Sequence, residues 1–239
     1  MKLGIIGAMD VEVETLLEKL EGKKQIHRAG SDFYEGILEG LPVVIVQCGV
    51  GKVNAAICAQ ILCDCFEVTH ILNTGIAGSL EASLDIGDLV VSTDAIYHDF
   101  DIRDINPERP VGHVPVPGGS VRFFEADEML KTSAYEAAEM VNPGHTRYGR
   151  ITSGDQFVGA APRKQEIIAH TGAQCTEMEG TAIAHTAWRN QIPFVILRAI
   201  SDKADNSAEM DYPTFEKIAA HRCAAVTLCL AKKLLEKMN

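Results

Sequence analysis

The sequence predicts an α/β protein in which helices cover both faces of a mixed central β-sheet, a three-layer α/β/α sandwich. Short apolar, β-branched runs alternate along the chain with longer segments whose apolar residues recur at helical spacing. Elements that alternate in this way typically pack as helices on the faces of one sheet. The 239 residues contain no internal repeat, linker or low-complexity segment, so we expect residues 1–239 to form a single domain.

The first half of the chain supplies most of the predicted strands. Lys2–Ala8 is a short apolar run ending in Gly and Ala, which indicates a buried first strand, and the apolar residues of Asp10–Leu20 then follow a helical spacing. Further strands are predicted at Ile26–Gly30, Phe33–Glu39, Val43–Cys48, His70–Asn73 and Asp88–Ile96, and a second helix at Lys52–Phe66.

The second half begins with a proline-rich segment from His98 to Arg122, for which we expect a long functional or interfacial loop. Helices are predicted beyond it at Ala126–Met140, Arg163–Thr171, Gly180–Asn190 and Pro213–Lys237, and strands at Thr146–Ser153, Thr176–Met178 and Phe194–Ser201. In sheets of this kind ligands bind beyond the carboxyl ends of the strands, so we expect the functional residues where strands end.

The composition is that of an acidic, folded protein. The chain has 22 Lys and Arg against 33 Asp and Glu, and its net charge of −11 disfavours nucleic acid and anionic membranes as partners. The apolar stretches are shorter than the roughly 20 residues of a membrane span, and the N-terminus lacks the apolar length of a signal peptide. We expect the seven cysteines to be reduced thiols in a cytoplasmic protein.

Two motifs have the residue types of ligand sites but are better explained structurally. Gly49-Val50-Gly51-Lys52 lacks the third glycine of a dinucleotide fingerprint and the Ser or Thr of a P-loop, which favours a tight turn. His98-Asp99-Phe100-Asp101 has no second cluster at metal-ligand spacing, so we expect an exposed polar loop and no metal. The backbone of Thr74–Gly78 either admits a flat ligand or simply connects a strand to a helix.

Four carboxylates lie where predicted strands end. Glu12 is in the first turn of the first helix, Glu177 and Glu179 follow a short strand, and Asp202 ends the most apolar strand. Each of them alone is explained as a helix-dipole partner, a cap or an ion-pair partner, for example of Arg198. Carboxylates gathered at one sheet edge raise one another's pKa, however, which is how acid/base sites are built.

Five sequence blocks, in this order, resemble one known family. They are Gly4–Met9 with Glu12 following, Cys48–Ala56, Asn73–Gly78, Glu177–Ala184 and Arg198–Asp205. Together they resemble the 5′-methylthioadenosine/S-adenosylhomocysteine nucleosidases of the purine nucleoside phosphorylase superfamily. The resemblance runs from the first residue to the last helix, and it implies a nucleoside phosphorylase-like fold and a homodimer, with no cofactor and no metal.

The activity that this resemblance implies is hydrolysis of the N-glycosidic bond of 5′-methylthioadenosine, S-adenosylhomocysteine and related 5′-substituted adenosines, as in methionine salvage. The products are adenine and the 5′-substituted ribose. Glu12 would be the base that orients water, and Asp202 the acid at purine N7. The two roles fit the chemistry, because the leaving base must be protonated while water approaches the opposite face of an oxocarbenium-like sugar.

The resemblance also implies which residues contact the substrate. Glu179 would bind the ribose hydroxyls, and Arg198 would help to hold Glu179. The substrate-binding residues that we expect are Met9, Val50, Ile76, Gly78, Phe157, Val158, Glu177, Met178, Glu179, Arg198, Ser201 and Tyr212. A loop of the partner subunit, Ile102–Pro115, would cover the 5′ group with an apolar surface that includes Ile102, Ile105 and Pro115.

Two other functions fit the same residues. A phosphate-dependent purine nucleoside phosphorylase would use phosphate in place of water, but Asp10 and Glu12 would repel an anion on the attacking side. A nucleoside-binding domain without catalysis is the third hypothesis. One position departs from the family pattern: members often carry a small hydroxyl residue where this chain has Ile76. We expect either that Ser201 or water orients Asp202, or that Asp202 is held more loosely. The sequence does not select the preferred 5′ substituent.

Overall fold

The computed structural model describes residues 1–205 and 208–238, and its strands and helices alternate as the sequence predicts. The elements are β1 (Leu3–Gly7), α1 (Asp10–Lys19), β2 (Glu21–Arg28), β3 (Ser31–Leu38), β4 (Leu41–Gln47), α2 (Lys52–Phe66), β5 (His70–Ser79), β6 (Leu89–Tyr97), β7 (Val114–Val116), β8 (Gly119–Val121), β9 (Phe124–Glu125), α3 (Glu128–Val141), β10 (Thr146–Ser153), α4 (Ala161–Thr171), β11 (Cys175–Glu177), α5 (Gly180–Arg189), β12 (Phe194–Asp202) and α6 (Ala208–Met238). Within the described part of the chain, no helix combines the length and the apolar character that crossing a membrane requires.

Ten of the strands form one mixed sheet in the order β11-β10-β6-β12-β5-β1-β4-β3-β2, with β9 paired to β6. The pairs β4–β1, β1–β5 and β5–β12 are parallel. The pairs β12–β6, β4–β3 and β3–β2 are antiparallel. Because β11 pairs with both β10 and β5, the sheet folds back on itself at this end. The carboxyl ends of β1, β5 and β12 therefore meet at one edge, and β11 lies beside β5 there.

Helices cover both faces of the sheet, which confirms the predicted α/β/α architecture. Side chains alternate between the two faces of a strand. In β1, Leu3 and Ile5 pack into a cluster that contains Leu16 of α1 and the buried residues of α3 and α6. Ile6 packs on the opposite face, in a cluster with α2 and α5. The contacts of α1 and α3 with α6, and those between α2 and α5, complete the two outer layers.

The structure corrects several sequence-based boundaries, among them the strand predicted at Ile26–Gly30, which runs over Glu21–Arg28. The strand predicted to end at Asn73 continues to Ser79, so Thr74–Gly78 is a buried strand and not a turn. The last helix begins before Pro213, at Ala208. The proline-rich segment contains a short hairpin, β7–β8, whose turn is Pro117-Gly118. Gly118 has a φ of +85°, a conformation that glycine adopts without strain.

Candidate active site

A cleft opens at the edge where β1, β5 and β12 end. Most of its lining comes from strand ends and the segments that follow them, and α6 contributes Tyr212. The lining residues are Ala8, Met9, Glu12, Val50, Ile76, Ala77, Gly78, Gln156, Phe157, Val158, Thr176, Glu177, Met178, Glu179, Ser201, Asp202 and Tyr212.

The Glu12 carboxylate is buried and held by three backbone N–H groups. Ala8 and Met9, which connect β1 to α1, donate to Oε2 at 2.6 and 3.0 Å, and Ile76 of β5 donates to Oε1 at 3.0 Å. Burial raises the pKa of Glu12, although the charge of Arg198 and these three hydrogen bonds oppose the shift. A carboxylate that is oriented in this way and has a raised pKa is suited to take a proton.

The Asp202 carboxylate, at the end of β12, is oriented on both oxygens. Ser201 Oγ donates to Oδ2 at 2.8 Å, and the backbone N–H of Ala204 donates to Oδ1 at 2.8 Å. Gly78 leaves room for this group, because a Cβ on Gly78 would come within 2.8 Å of Asp202 Oδ1. Ser201 thus supplies a hydroxyl next to Asp202, whereas Ile76 has none to offer.

Arg198 lies behind the cleft and binds a different carboxylate from the one expected. Its Nη2 donates to Asn73 Oδ1 and to Glu177 Oε2, each at 2.5 Å. Glu177 Oε2 also accepts the backbone N–H groups of Glu179 and Gly180 at 3.0 and 2.7 Å. Arg198 therefore reaches Glu179 through Glu177, since β11 places Glu177, and not Glu179, within hydrogen-bonding distance of the guanidinium.

Glu179 is tied to the turn that precedes α2. Its Oε1 accepts the backbone N–H of Gly51 at 2.7 Å. The next N–H of the turn, that of Lys52, donates to Asp155 Oδ1 at 2.9 Å. Burial, together with the charge of nearby Glu177, raises the pKa of Glu179 to about 8. The Gly49–Lys52 motif thus forms a tight turn, as predicted, and protein carboxylates occupy its N–H groups.

Apolar and aromatic side chains form the remaining walls. Met9, Ile76 and Met178 line the inner part of the cleft, and Phe157 stands at its mouth with 53% of its surface exposed. The Phe157 and Tyr212 rings meet edge to face, with centroids 5.6 Å apart. A flat, partly apolar ligand would find complementary surfaces here.

The structure brings most of the predicted site residues together. Every predicted residue of this chain's own site lines the cleft except Arg198, which supports it from behind. Ile102, Ile105 and Pro115, predicted for a partner's site, do not line the cleft of their own chain. Four lining residues were not predicted: Ala8, Ala77, Gln156 and Thr176. Each of the four is next to a predicted residue near the end of a strand. A search of the sequence around each predicted strand end would therefore have found them.

The described residues contain no group of three His, Cys, Asp or Glu side chains arranged to hold a metal ion. The His98–Asp101 motif is exposed only at Asp101, so the expected exposed loop is confirmed there and is wrong at His98, Asp99 and Phe100. His98 is only 4% exposed, and Asp99 Oδ2 accepts a hydrogen bond from Lys52 Nζ at 2.6 Å. These residues therefore link β6 to the start of α2.

Comparison with known proteins identifies the family. Residues 2–232 match the sequence profile of the phosphorylase superfamily. The chain is 40% identical, over 98% of its length and 99% of the relative's, to the 5′-methylthioadenosine/S-adenosylhomocysteine nucleosidase of Halalkalibacterium halodurans. It is 37% identical, over 98% and 99% of the two chains, to the nucleosidase of the same name from an Exiguobacterium species.

The chain belongs to the 5′-methylthioadenosine/S-adenosylhomocysteine nucleosidase family.

Solved structures of this family have the same fold. The Neisseria meningitidis nucleosidase in complex with methylthio-immucillin-A superposes with a TM-score of 0.90, at 35% identity over 97% of this chain and 99% of that one. The Colwellia psychrerythraea nucleosidase in complex with adenine gives 0.91, at 36% identity over 98% and 96%. A futalosine hydrolase from Helicobacter pylori also gives 0.90, at 30% identity over 98% of both chains.

Proposed function

We propose that this protein hydrolyses the N-glycosidic bond of 5′-methylthioadenosine, S-adenosylhomocysteine and related 5′-substituted adenosines, and releases adenine. The observation that carries the proposal is the pair of oriented carboxylates, Glu12 and Asp202, in one cleft. Family membership and the analogue and adenine complexes of the related nucleosidases support it.

The two carboxylates divide the chemistry of the reaction between them. Asp202, protonated, gives its proton to purine N7 as the C1′–N9 bond breaks and the bonding electron pair leaves with the base. Water then adds to C1′ of the oxocarbenium-like sugar and gives a proton to Glu12, which its three backbone N–H donors keep oriented. The products are adenine and the 5′-substituted ribose.

The other cleft residues bind the substrate. Glu179 accepts hydrogen bonds from the ribose hydroxyls, and Met178 packs against the sugar. Phe157 and the backbone of Val158 contact adenine, and Tyr212 lies over the ligand. The Arg198–Glu177 ion pair acts indirectly, because Glu177 accepts the backbone N–H of Glu179.

Water fits the attacking position better than phosphate. A phosphate site needs cationic side chains and free backbone N–H groups. No lysine or arginine is among the described residues that line the cleft. The backbone donors of Ala8 and Ile76 are taken by Glu12, and that of Gly51 is taken by Glu179. A phosphate dianion in the cleft would therefore face carboxylate oxygens where it needs hydrogen-bond donors.

We also propose that the protein is a cytoplasmic homodimer in which the Ile102–Pro115 loop of the partner subunit covers the 5′ group. The products of the reaction would enter methionine salvage. Apolar side chains on and beside α2 support the dimer: Val50, Val53 and Ile57 are 50%, 70% and 43% exposed, and Ile105 is 84% exposed. Val53→Glu should shift the mass measured by light scattering to that of a monomer and raise KM. An unchanged mass would contradict the proposal for this face.

Adenine release from 5′-methylthioadenosine, followed by chromatography in phosphate-free buffer, tests the function. Glu12→Gln and Asp202→Asn should each lower kcat by about 10²–10⁴-fold without unfolding the protein. Glu14→Gln is the matched control, since Glu14 lies on the same helix but is exposed. Turnover that requires phosphate would favour the phosphorylase, and tight binding of 5′-methylthioadenosine without product would favour the non-catalytic domain.

A further inference from the structure

The turn that follows β12 binds the carboxylate of Asp202 and has a strained backbone. The backbone N–H of Ala204 donates to Asp202 Oδ1 at 2.8 Å. Ala204 has a φ of +49°, in the left-handed region that residues other than glycine rarely adopt, because the Cβ crowds the following carbonyl oxygen there. Such a conformation persists only where surrounding contacts hold it. The contacts that hold this turn therefore also fix the carboxylate.

Apolar packing holds one side of the turn. Ala204 is fully buried in a cluster with Leu80, Val158 and Ile167. A Cβ on Gly78 of β5 would come within 2.9 Å of the Ala204 Cβ, so the turn lies directly on the sheet. Because Ile167 belongs to α4, this helix packs against the turn from the opposite direction.

A polar contact from the same helix holds the other side. Lys164 lies three residues before Ile167, on the same face of α4, and its Nζ donates to the carbonyl oxygen of Lys203 at 2.6 Å. That carbonyl belongs to the same peptide unit as the Ala204 N–H. A trans peptide unit is planar and its C=O and N–H point in opposite directions, so an ammonium that holds the oxygen also fixes the direction of the N–H. The Lys164 ammonium, this peptide unit and the Asp202 carboxylate thus form one continuous chain of hydrogen bonds.

We propose that Lys164 is a positioning residue for the acid Asp202 and acts through the peptide unit between Lys203 and Ala204. The inference rests on the proposed function, in which Asp202 gives a proton to purine N7. As the proton leaves, Asp202 becomes a carboxylate, and the Ala204 N–H then donates to a full negative charge. The ammonium at the other end of the peptide unit polarises this N–H and stabilises the carboxylate as it forms, which lowers the barrier to departure of the base.

Lys164 has the properties that this role requires. It is half-buried, and it is not among the residues that line the cleft, so we expect no contact with the substrate. Burial lowers the pKa of Lys164, and the charges of Asp205 and Asp202 oppose this shift, as expected for an ammonium near both carboxylates. The effect of Lys164 should therefore appear in kcat and not in KM.

A leaving group that needs no proton tests this role. We compare 5′-methylthioadenosine with 4-nitrophenyl 5-methylthio-β-D-riboside, because 4-nitrophenolate is stable enough to leave unprotonated. Lys164→Met keeps the long apolar chain and removes the ammonium. It should lower kcat for 5′-methylthioadenosine about 10-fold, as expected when a hydrogen bond to a charged group is weakened, and should not lower the rate with the nitrophenyl riboside. The ratio of the two rates should change in the same direction in Asp202→Asn, but not in Glu12→Gln.

Two further variants separate positioning from a structural role. Lys164→Arg keeps a cationic donor and should recover most of the kcat that Lys164→Met loses. Lys131→Met is the matched control and should leave kcat unchanged, since Lys131 is also half-buried and donates to Glu128 at 2.7 Å, but lies on α3, outside the cleft. Equal losses on the two substrates, no loss on 5′-methylthioadenosine, or a change in KM alone would overturn the proposal.

Hydrogen exchange of the Ala204 amide, followed by NMR, needs no substrate and keeps this test separate from the test of function. Loss of the ammonium should loosen the turn, so this amide should exchange about tenfold faster in Lys164→Met than in wild type, and at the wild-type rate in Lys131→Met. The exchange rates decide the proposal even if wild type cleaves neither substrate, an outcome in which the proposed hydrolysis itself fails. Unchanged exchange in Lys164→Met would contradict the role of Lys164.

Discussion

Gly75 of β5 lies against the proposed catalytic base, and one added methyl group there should displace that base. A Cβ on Gly75 would come within 2.3 Å of Glu12 Oε1 and 2.5 Å of Arg198 Nη1. Ordinary van der Waals contact begins at 3.4 Å. In Gly75→Ala the Glu12 carboxylate must therefore retreat by about 1 Å, away from the Ile76 N–H that now holds it.

The expected loss follows from this displacement. A misplacement of about 1 Å in a catalytic group costs about 10²-fold in rate. Crowding in a well-packed core costs a further 1–3 kcal/mol or so of folding stability. Gly119→Ala is the matched control, since a Cβ on Gly119 meets no atom within 4 Å. We expect Gly75→Ala to lower kcat about 100-fold, and Gly119→Ala to leave it unchanged.

Two measurements check this prediction. Initial rates of adenine release give kcat, and denaturant unfolding followed by circular dichroism shows that the variant is folded at the assay temperature. If folded Gly75→Ala kept kcat within about threefold of wild type, the position of the Glu12 carboxylate would not control the reaction, and its assignment as the base would be refuted.

Three further outcomes are expected. Ser201→Ala removes a hydrogen bond to the Asp202 carboxylate, and since such bonds contribute about 1.5–3 kcal/mol, kcat for 5′-methylthioadenosine should fall about 10- to 100-fold. Arg198→Met leaves Glu177 buried without its partner, so unfolding in urea should show a loss of about 3–5 kcal/mol. Because the pKa of Glu179 is raised to about 8, kcat/KM should fall about tenfold per pH unit below pH 8. Because the pKa of Glu179 is raised in the folded protein, its protonation contributes to folding stability. This contribution is complete below pH 4.5 and is lost as the pH rises through 8, so the urea midpoint of Glu179→Gln should vary less with pH than that of wild type.

The sequence predicted the architecture because it depends on local pattern, and it predicted most of the cleft residues through the resemblance of five sequence blocks to one family. The apolar run at Phe194–Ser201 predicted a buried strand, and β12 is buried along its whole length. The sequence also predicted that Glu12 and Asp202 lie near each other, since residues at the carboxyl ends of the parallel strands β1 and β12 must meet at one edge. Strand ends are therefore the part of a site that a single sequence shows best.

What the sequence could not predict depends on tertiary contacts. Gly75 and Gly78 favoured a turn, but the protein uses them inside β5, where they make room for Glu12 and Asp202. The partner of Arg198 depends on how β11 folds back onto β5, a pairing with no local signal. A shift of two residues between Glu177 and Glu179 changes the partner, and no spacing rule resolves so small a difference.

The charges around the cleft explain why an excess of carboxylates suits this chemistry. Glu12, Glu177 and Glu179 surround one guanidinium, that of Arg198, in a buried environment. Burial and the charges of Glu177 and Glu12 raise the pKa of Glu179, which means that a negative charge on Glu179 is unfavourable in this environment. In the proposed reaction a ribosyl cation forming in the cleft would supply the missing positive charge, so these carboxylates would stabilise the transition state more than the neutral substrate. An attacking phosphate dianion would add to the same repulsion, whereas water adds no charge, and so the electrostatics that favour the sugar cation also select the nucleophile.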